Sequence, residues 1–403
     1  MPVLKDKQIL LAVTGSIAAY KSAEIVRELV TAGATVRVAM TEAATRFIGP
    51  QTLSTLSGQR VITQMFRDGT DPEIEHIRLP ENADTILVAP ATAHIISRMA
   101  LGLADDIVSS MLLVARCPIL VAPAMNSNMY THPAVEANIA TLKARGVKII
   151  EPGFGELACG VIGPGRLADV QDIIEELWAA LTEQSLSGCR VLVTAGPTRE
   201  PIDPVRFISN RSSGKMGFAI ARAALRRGAE VTLVSGPTSL AAPRKAALIT
   251  VETAEKMREA CLNAFEQADV LIMTAAVADY RPEKAIKSKI KRKDSGMTLE
   301  LVPCPDILRE LSARKRPDQV LVGFAAETED LIKNARQKLK AKGLDLLVAN
   351  PVNAPDAGFD YDTNRIQILN SKGQVEPHPL MTKDEAAEQI MRHVTDWVKR
   401  KKG

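Results

Sequence analysis

Apolar residues along this chain gather into short β-branched runs separated by longer stretches in which they recur every three or four positions, the pattern of strands alternating with amphipathic helices. The first half opens with a strand-like run at 9–14, a turn at Gly15 and a helical pattern over 18–32. Strands at 35–40, 85–89, 118–122 and 147–150 then alternate with helices near 43–56, 93–101 and 134–144. At 190–194 the pattern restarts: a strand run ends at Gly196-Pro197, and 213–227 reads as a helix. Strands follow at 230–235, 270–275, 298–302, 319–325, 345–349 and 365–369, with helices at 254–268, 305–314, 329–342 and 383–399. Two openings of strand, glycine turn and helix predict two nucleotide-handling domains of the α/β class, each a Rossmann-like doubly wound parallel sheet. An amphipathic stretch at 169–184 leads to the polar joint Ser185-Leu186-Ser187-Gly188, so the domains are expected at 1–187 and 188–403.

Composition agrees with two cores, because 403 residues at 46% hydrophobic content exceed what one core usually supports. A net charge of +4 with interspersed acids and bases makes no case for a dedicated nucleic-acid binder. The five cysteines are widely spaced and contain no CxxC, which argues against zinc and a disulfide framework and for a reducing cytoplasm. No apolar run is long enough for a secretory signal or a membrane span, so a soluble protein with no membrane partner is expected.

Ligands of doubly wound sheets sit at the carboxyl ends of the strands, which directs attention to Gly15-Ser16, Thr41-Glu42, Ala89-Pro90-Ala91-Thr92 and residues 122–129. Gly15-Ser16-Ile17-Ala18-Ala19 leads into a helix whose free N–H groups suit a phosphate, although without GxGxxG it is equally a plain tight turn. His76 lies in a long polar connection before the third strand and reads as catalytic or merely structural. In Pro123-Ala124-Met125-Asn126-Ser127-Asn128-Met129 the two amides are hard to explain as core. Five glycines around Cys159, over 153–166, describe either a flap or an ordinary surface loop.

Together, Gly15-Ser16-Ile17-Ala18-Ala19-Tyr20-Lys21, His76, the PAMNSNM segment and the ACGVIGPGR stretch resemble the flavin-dependent cysteine decarboxylase family. The resemblance implies that fold and a bound FMN, with its phosphate near Gly15, Ser16, Ile17 and Ala18, Thr41 close by, and its ring near Ala91 and Thr92. It implies His76 as the catalytic histidine, Asn126 as the holder of the substrate carboxylate with Met129 beside it, and Cys159 as the proton donor of the flap. Tyr130, where many relatives carry Trp, departs from the pattern. The implied chemistry has FMN oxidise a cysteinyl thiol so that CO2 can leave, while the protein holds the carboxylate, handles the thiol proton and covers a reactive enethiol.

In the second half a P-loop would need glycine at Ser209 and Ser or Thr at Met216, and Ser235-Gly236 lacks the acid an NAD site prefers. What stands out is Ala275-Ala276-Val277-Ala278-Asp279-Tyr280 at a strand end, followed by a basic run over 281–294 that holds Lys289. Such a run is a solvated loop, a nucleic-acid patch weakened by its lack of aromatics, or a flap folding over a triphosphate. Its few local anchors predict poor order without ligand. The motifs TAGPTREPIDPVRFISNRSSGKMG, AAVADYRP, KIKR, PDIL and VGFAAET, with Lys338 and Lys342, resemble the CTP-using bacterial phosphopantothenate-cysteine ligase family. That resemblance implies an acyl cytidylate formed from 4'-phosphopantothenate and CTP, which cysteine then opens. It also implies Mg2+, held mainly by the CTP phosphates. It places Ala275, Ala276 and Phe324 in the pocket wall, Asp279 and Pro305-Asp306-Ile307-Leu308 against the nucleotide, and Lys289, Lys338 and Lys342 on anionic groups. Asn210 would position the acyl cytidylate, with Arg206 nearby.

The two resemblances cover nearly the whole chain and imply a fused enzyme with two active sites, whose ligase product is the decarboxylase substrate. They also imply a homo-oligomer: trimers of the flavin domain with FMN at a subunit interface and dimers of the ligase domain, combined into a dodecamer. A flavin or NAD oxidoreductase with a regulatory nucleotide domain, and a noncatalytic flavoprotein subunit, are the other readings.

Overall fold

The computed structural model describes residues 4–65, 75–291, 297–327, 331–351 and 361–402, and the chain divides into two compact units, Met1–Glu183 and Gln184–Gly403. In the first unit the elements run β1 (Gln8–Val13), α1 (Ser22–Thr31), β2 (Thr35–Met40), α2 (Pro50–Ser57), α3 (Glu75–Glu81), β3 (Thr85–Ala91), α4 (Ala93–Leu101), α5 (Ile107–Val114) and β4 (Ile119–Pro123). Then come α6 (Ser127–Tyr130), α7 (Pro133–Ala144), β5 (Lys148–Ile149), the hairpin β6 (Gly153–Glu156) and β7 (Ile162–Arg166), and α8 (Val170–Leu181). The sheet order is β2-β1-β3-β4-β5, and every pairing is parallel. Both faces of this sheet are covered, which explains why its strands read as continuous apolar runs. Ile9, Leu11 and Val13 pack toward α1 and α8, while Leu10 and Ala12 pack toward α4, α5 and α7.

The second unit runs β8 (Arg190–Ala195), β9 (Arg199–Pro201), β10 (Phe207–Ser209), α9 (Lys215–Arg226), β11 (Glu230–Ser235), β12 (Ala247–Thr250), α10 (Ala254–Phe265), β13 (Val270–Met273), β14 (Tyr280–Pro282) and β15 (Leu301–Pro303). It continues α11 (Ile307–Ala313), β16 (Val320–Glu327), α12 (Leu331–Ala341), β17 (Leu346–Pro351), β18 (Thr363–Asn364), β19 (Gln367–Asn370), β20 (Val375–Pro377), β21 (Met381–Thr382) and α13 (Lys383–Lys402). Its main sheet has the order β12-β11-β8-β13-β16-β17-β19-β20. The first six strands are parallel, whereas β19 and β20 join antiparallel, so the sheet is mixed rather than wholly parallel. The connection after β19 is a tight turn at Gly373, too short for a crossover helix, and only an antiparallel neighbour can be reached that way. Helix α13 packs on α9 through ion pairs: buried Arg226 lies 3.0 Å from Glu388, and Arg222 lies 2.9 Å from Asp384.

Three local expectations change. The helix expected over 43–56 is a 3-10 turn at Glu42–Arg46 followed by α2, because Gly49 caps α2 and Pro50, which lacks an N–H, starts it. His76 sits on the short helix α3 rather than in a connection without structure. The glycine-rich stretch around Cys159 is a two-stranded hairpin with its tip at 157–161. No described helix is long and apolar enough to cross a membrane.

Two candidate active sites at the strand switch points

In both sheets the strand order reverses beside the first strand of the unit, between β1 and β3 and between β8 and β13, where doubly wound folds open a crevice for ligands. At the first crevice lies a cavity of about 1340 Å³. Gly15, Ser16, Ile17, Ala18, Thr41, Thr92, Asn126, Met129 and Cys159 all line it. Four of these residues are helix caps: the Ser16 side chain accepts from the Ala18 N–H, Thr41 from Ala44, Thr92 from Ile95 and Asn126 from Asn128. Helical N-termini from four parts of the chain therefore converge on one cavity, and their remaining N–H groups and dipoles favour an anion. Exposed Ile17, Phe47 and Met129 give the same cavity an apolar side able to take a flat ring. The phosphate-and-ring demand of FMN fits these residues.

The walls are tied together by side chains. The Thr14 hydroxyl donates to the Pro90 carbonyl at 2.7 Å and accepts from the Thr92 N–H at 3.1 Å, joining the ends of β1 and β3. The hairpin is docked against the PAMNSNM segment, since the Met125 N–H donates to Gly165 O at 2.9 Å and the Ser127 hydroxyl to Pro164 O at 2.7 Å. This docking brings the Asn126 amide within 3.2 Å of Cys159 Sγ, where it donates to the sulfur. The exposed Cys159 thiol is drawn below its ordinary range, first by the backbone at Val161 and then by the Asn126 amide, both of which favour the thiolate. Tyr130 donates to Glu151 at 3.0 Å, and burial, with that carboxylate beside it, pushes the phenol up to about 12.

Two expected residues are not in this cavity. Ala91 is fully buried in β3, one position before Thr92, and supports the floor rather than lining it. His76, half-buried on α3, lies outside the cavity lining. The lining also includes Arg46, His94, Arg98 and Arg166, which sequence reasoning did not assign as site residues. His94 and Arg98 follow Thr92 on α4, and a helical projection from that cap would have found them.

The second crevice holds a cavity of about 560 Å³. Asn210, Ala275, Ala276, Asp279, Pro305, Asp306, Ile307, Leu308, Phe324, Lys338 and Lys342 line it together. Helix α9 approaches so closely at Gly217 that a Cβ there would stand 2.6 Å from the Ala195 Cβ and 2.5 Å from the Thr274 hydroxyl, which no larger residue fits. The Asn210 amide donates to the carbonyls of Ala276 (3.3 Å) and Val277 (3.0 Å). Asp306 caps α11 and pairs with Lys342 at 2.9 Å; burial would raise its pKa, but the lysine and the Arg309 N–H outweigh that and lower it. Lys338 donates to the Phe324 carbonyl at 2.7 Å. Lys215 and Lys383 add cationic side chains that the motif reading did not assign.

Arg206 and Lys289 are not in the lining. They belong to a neighbouring assembly built on Asp203, whose buried carboxylate accepts from the N–H groups of Val205 and Arg206 and from Ile290 N–H at 3.1 Å, and pairs with the Arg206 guanidinium at 2.8 Å. Burial works to raise the Asp203 pKa, yet these donors hold it at about 2. The Ile286 N–H adds a bond to Ile202 O at 2.9 Å, and the Arg206 guanidinium a bond to Ile290 O at 3.2 Å. The described part of the basic stretch is therefore anchored to the β9–β10 turn, and these anchors are not local but come from residues some 80 positions away. Arg292 and Lys293 lie outside the described residues.

A two-domain α/β protein with an anion- and ring-accepting crevice in one unit and a lysine-rich crevice in the other has the form of a flavoprotein joined to a second Rossmann-like domain. Residues 3–182 match the Flavoprotein family model, and residues 186–398 match the DNA/pantothenate metabolism flavoprotein C-terminal domain. The coenzyme A biosynthesis bifunctional protein CoaBC of Bacillus subtilis is 47% identical over 396 residues, covering 97% of each chain. That of Escherichia coli K12 is 45% identical and covers 92% of each. A solved C-terminal domain of a coenzyme A biosynthesis bifunctional protein is 41% identical, covering 54% of this chain and 100% of its own, with a TM-score of 0.47. The chain belongs to the family of coenzyme A biosynthesis bifunctional proteins, its two domains fitting a decarboxylase step and a ligase step.

Proposed function

We propose that the second unit joins 4'-phosphopantothenate to cysteine at the expense of CTP and that the first unit decarboxylates the product to 4'-phosphopantetheine. The observation that carries this reading is the Asn126–Cys159 contact at the mouth of the four-capped cavity: a neutral carboxylate-binding amide beside an acidified thiol. When bound, FMN would take two electrons from the substrate thiol so that CO2 can leave and return them to the enethiol afterwards. Ser16, Ile17 and Ala18 would hold its phosphate at the converging helix starts, and Ile17 and Met129 would offer apolar contact to its ring. Asn126 orients the substrate carboxylate, for which a charged residue would be either repulsive or too tightly bound. Cys159, on a hairpin tip, delivers a proton while the hairpin keeps water from the enethiol.

His76 completes this site only if a second copy brings it over the cavity, which is the arrangement of a trimer with FMN at the subunit interface; the dodecamer follows if the ligase units also dimerise. In the second unit the α9 N-terminus with Lys215, Lys338 and Lys342 neutralises the CTP phosphates, accompanied by Mg2+. Asn210 holds the acyl cytidylate close to the β13 end, and Lys289 reaches the triphosphate by movement of its strap toward the cavity. All five cysteines are free thiols, in keeping with a cytoplasmic setting. The test is direct: the purified protein should be yellow and should release CMP from CTP only when both phosphopantothenate and cysteine are supplied. A colourless protein, or equal use of ATP, overturns the reading.

A further inference from the structure

Away from both cavities, Glu376, His378 and His393 place three metal-ligating atoms within 4.8 Å of one another. Glu376 and His378 are two residues apart on extended chain at the end of β20, so their side chains share a face. The His378 N–H donates to Ile366 O at 2.9 Å and holds the chain there. His393 projects from α13, ten residues or about 15 Å along the helix from Lys383 in the wall of the second cavity.

The His378 Nε2 stands 3.4 Å from one Glu376 oxygen and the His393 Nε2 3.1 Å from the other. Both nitrogens are closed to solvent and neither makes a hydrogen bond, although the carboxylate stands near each. One such buried orphan is costly, and two converging on one carboxylate call for a common partner. Two donors each about 2.05 Å from a tetrahedral ion stand about 3.3 Å apart; the two nitrogen–oxygen distances here, 3.4 and 3.1 Å, are close to that, and all three ligand atoms lie within 4.8 Å of one another, so small side-chain rotations bring them onto one ion.

We propose that Glu376, His378 and His393 bind a Zn2+-class cation that clasps the β19–β20 hairpin to α13, with water in the fourth position. Two imidazoles and one carboxylate select such an ion over Mg2+ or Ca2+, which prefer all-oxygen shells, so this site is separate from the Mg2+ that accompanies CTP. Arg392, 2.8 Å from Glu376 and with its side chain 57% exposed, is the competing cation and swings into solvent when the ion enters.

The experiment uses the full-length, FMN-loaded protein, stripped with a chelator and dialysed against Zn2+ alone, with Co2+ as a spectroscopic probe. One equivalent of Zn2+ per chain should be retained, and Co2+ should give visible d–d bands that Zn2+ bleaches. His378→Gln and His393→Gln should each weaken Zn2+ binding about 100-fold or more, with ligation from CTP unchanged. Arg392→Ala, which spares the donors and removes the competitor, should tighten binding, an effect misfolding cannot imitate. Absence of retained Zn2+ in the parent protein, equal retention in both glutamine variants, or no tightening in Arg392→Ala overturns the proposal.

Discussion

At the scale of single residues the informative pair is Asn126 and Cys159. A thiol that already accepts hydrogen bonds from an amide and the backbone releases its proton more readily than an ordinary cysteine, whose reference pKa is about 8.5. Serine is nearly isosteric but far less acidic, so Cys159→Ser should leave CO2 release intact and stop before the final protonation. Mass spectrometry should then show a product about two hydrogen masses lighter than phosphopantetheine, with ligation from CTP unaffected. A normal product yield would return Cys159 to the status of an incidental thiol in a glycine-rich turn. The motif resemblance named both residues separately; their contact, which adds to the effect of the Val161 backbone on the thiol, depends on the hairpin docking that brings position 159 back to position 126.

At the scale of elements, two short pieces are held by backbone contacts that a substitution would break. Gly165 has φ +122°, and a Cβ there would stand 2.4 Å from the Met125 carbonyl. Gly165→Ala must therefore displace the hairpin from the PAMNSNM segment; decarboxylation should fall by at least about tenfold while ligation persists, measured as CO2 and CMP release. The strap bearing Lys289 hangs on Asp203. Because the folded pKa of Asp203, about 2, lies below the ordinary carboxylate value, its stabilising contribution is present above about pH 4 and is lost as pH falls toward 2. Asp203→Asn should mimic the protonated state at neutral pH, speeding amide exchange over 284–291 and slowing ligation. Unchanged exchange in that variant would show that the Ile286 contact alone holds the strap.

At the scale of the whole molecule, each unit has its own two-faced core. Leu11 is fully buried in the first sheet, and Leu11→Ala should cost about 2–5 kcal/mol. Calorimetry should then show one thermal transition lowered and accompanied by loss of bound flavin, with the other transition unmoved. A single transition lowered as a whole would show that the two units unfold as one.

Much of this architecture was legible in sequence because it follows from local rules. Apolar runs of four to six residues marked the buried parallel strands, glycine turns marked the switch points, and eleven residues singled out by motif in the second half line one cavity. Cap chemistry was legible at Ser16, Thr41, Thr92 and Asn126 only as polar residues at strand ends. Four decisions belonged to the tertiary structure alone. The convergence of four helix starts on one cavity depends on strand order, which no window of sequence contains. The antiparallel pairing of β19 with β17, the anchoring of the basic strap by Asp203 and the meeting of Glu376 and His378 with His393 join positions roughly 15 to 90 residues apart. Periodicity reports which face of an element is buried; which distant element lies against that face is set by the packing of the complete core.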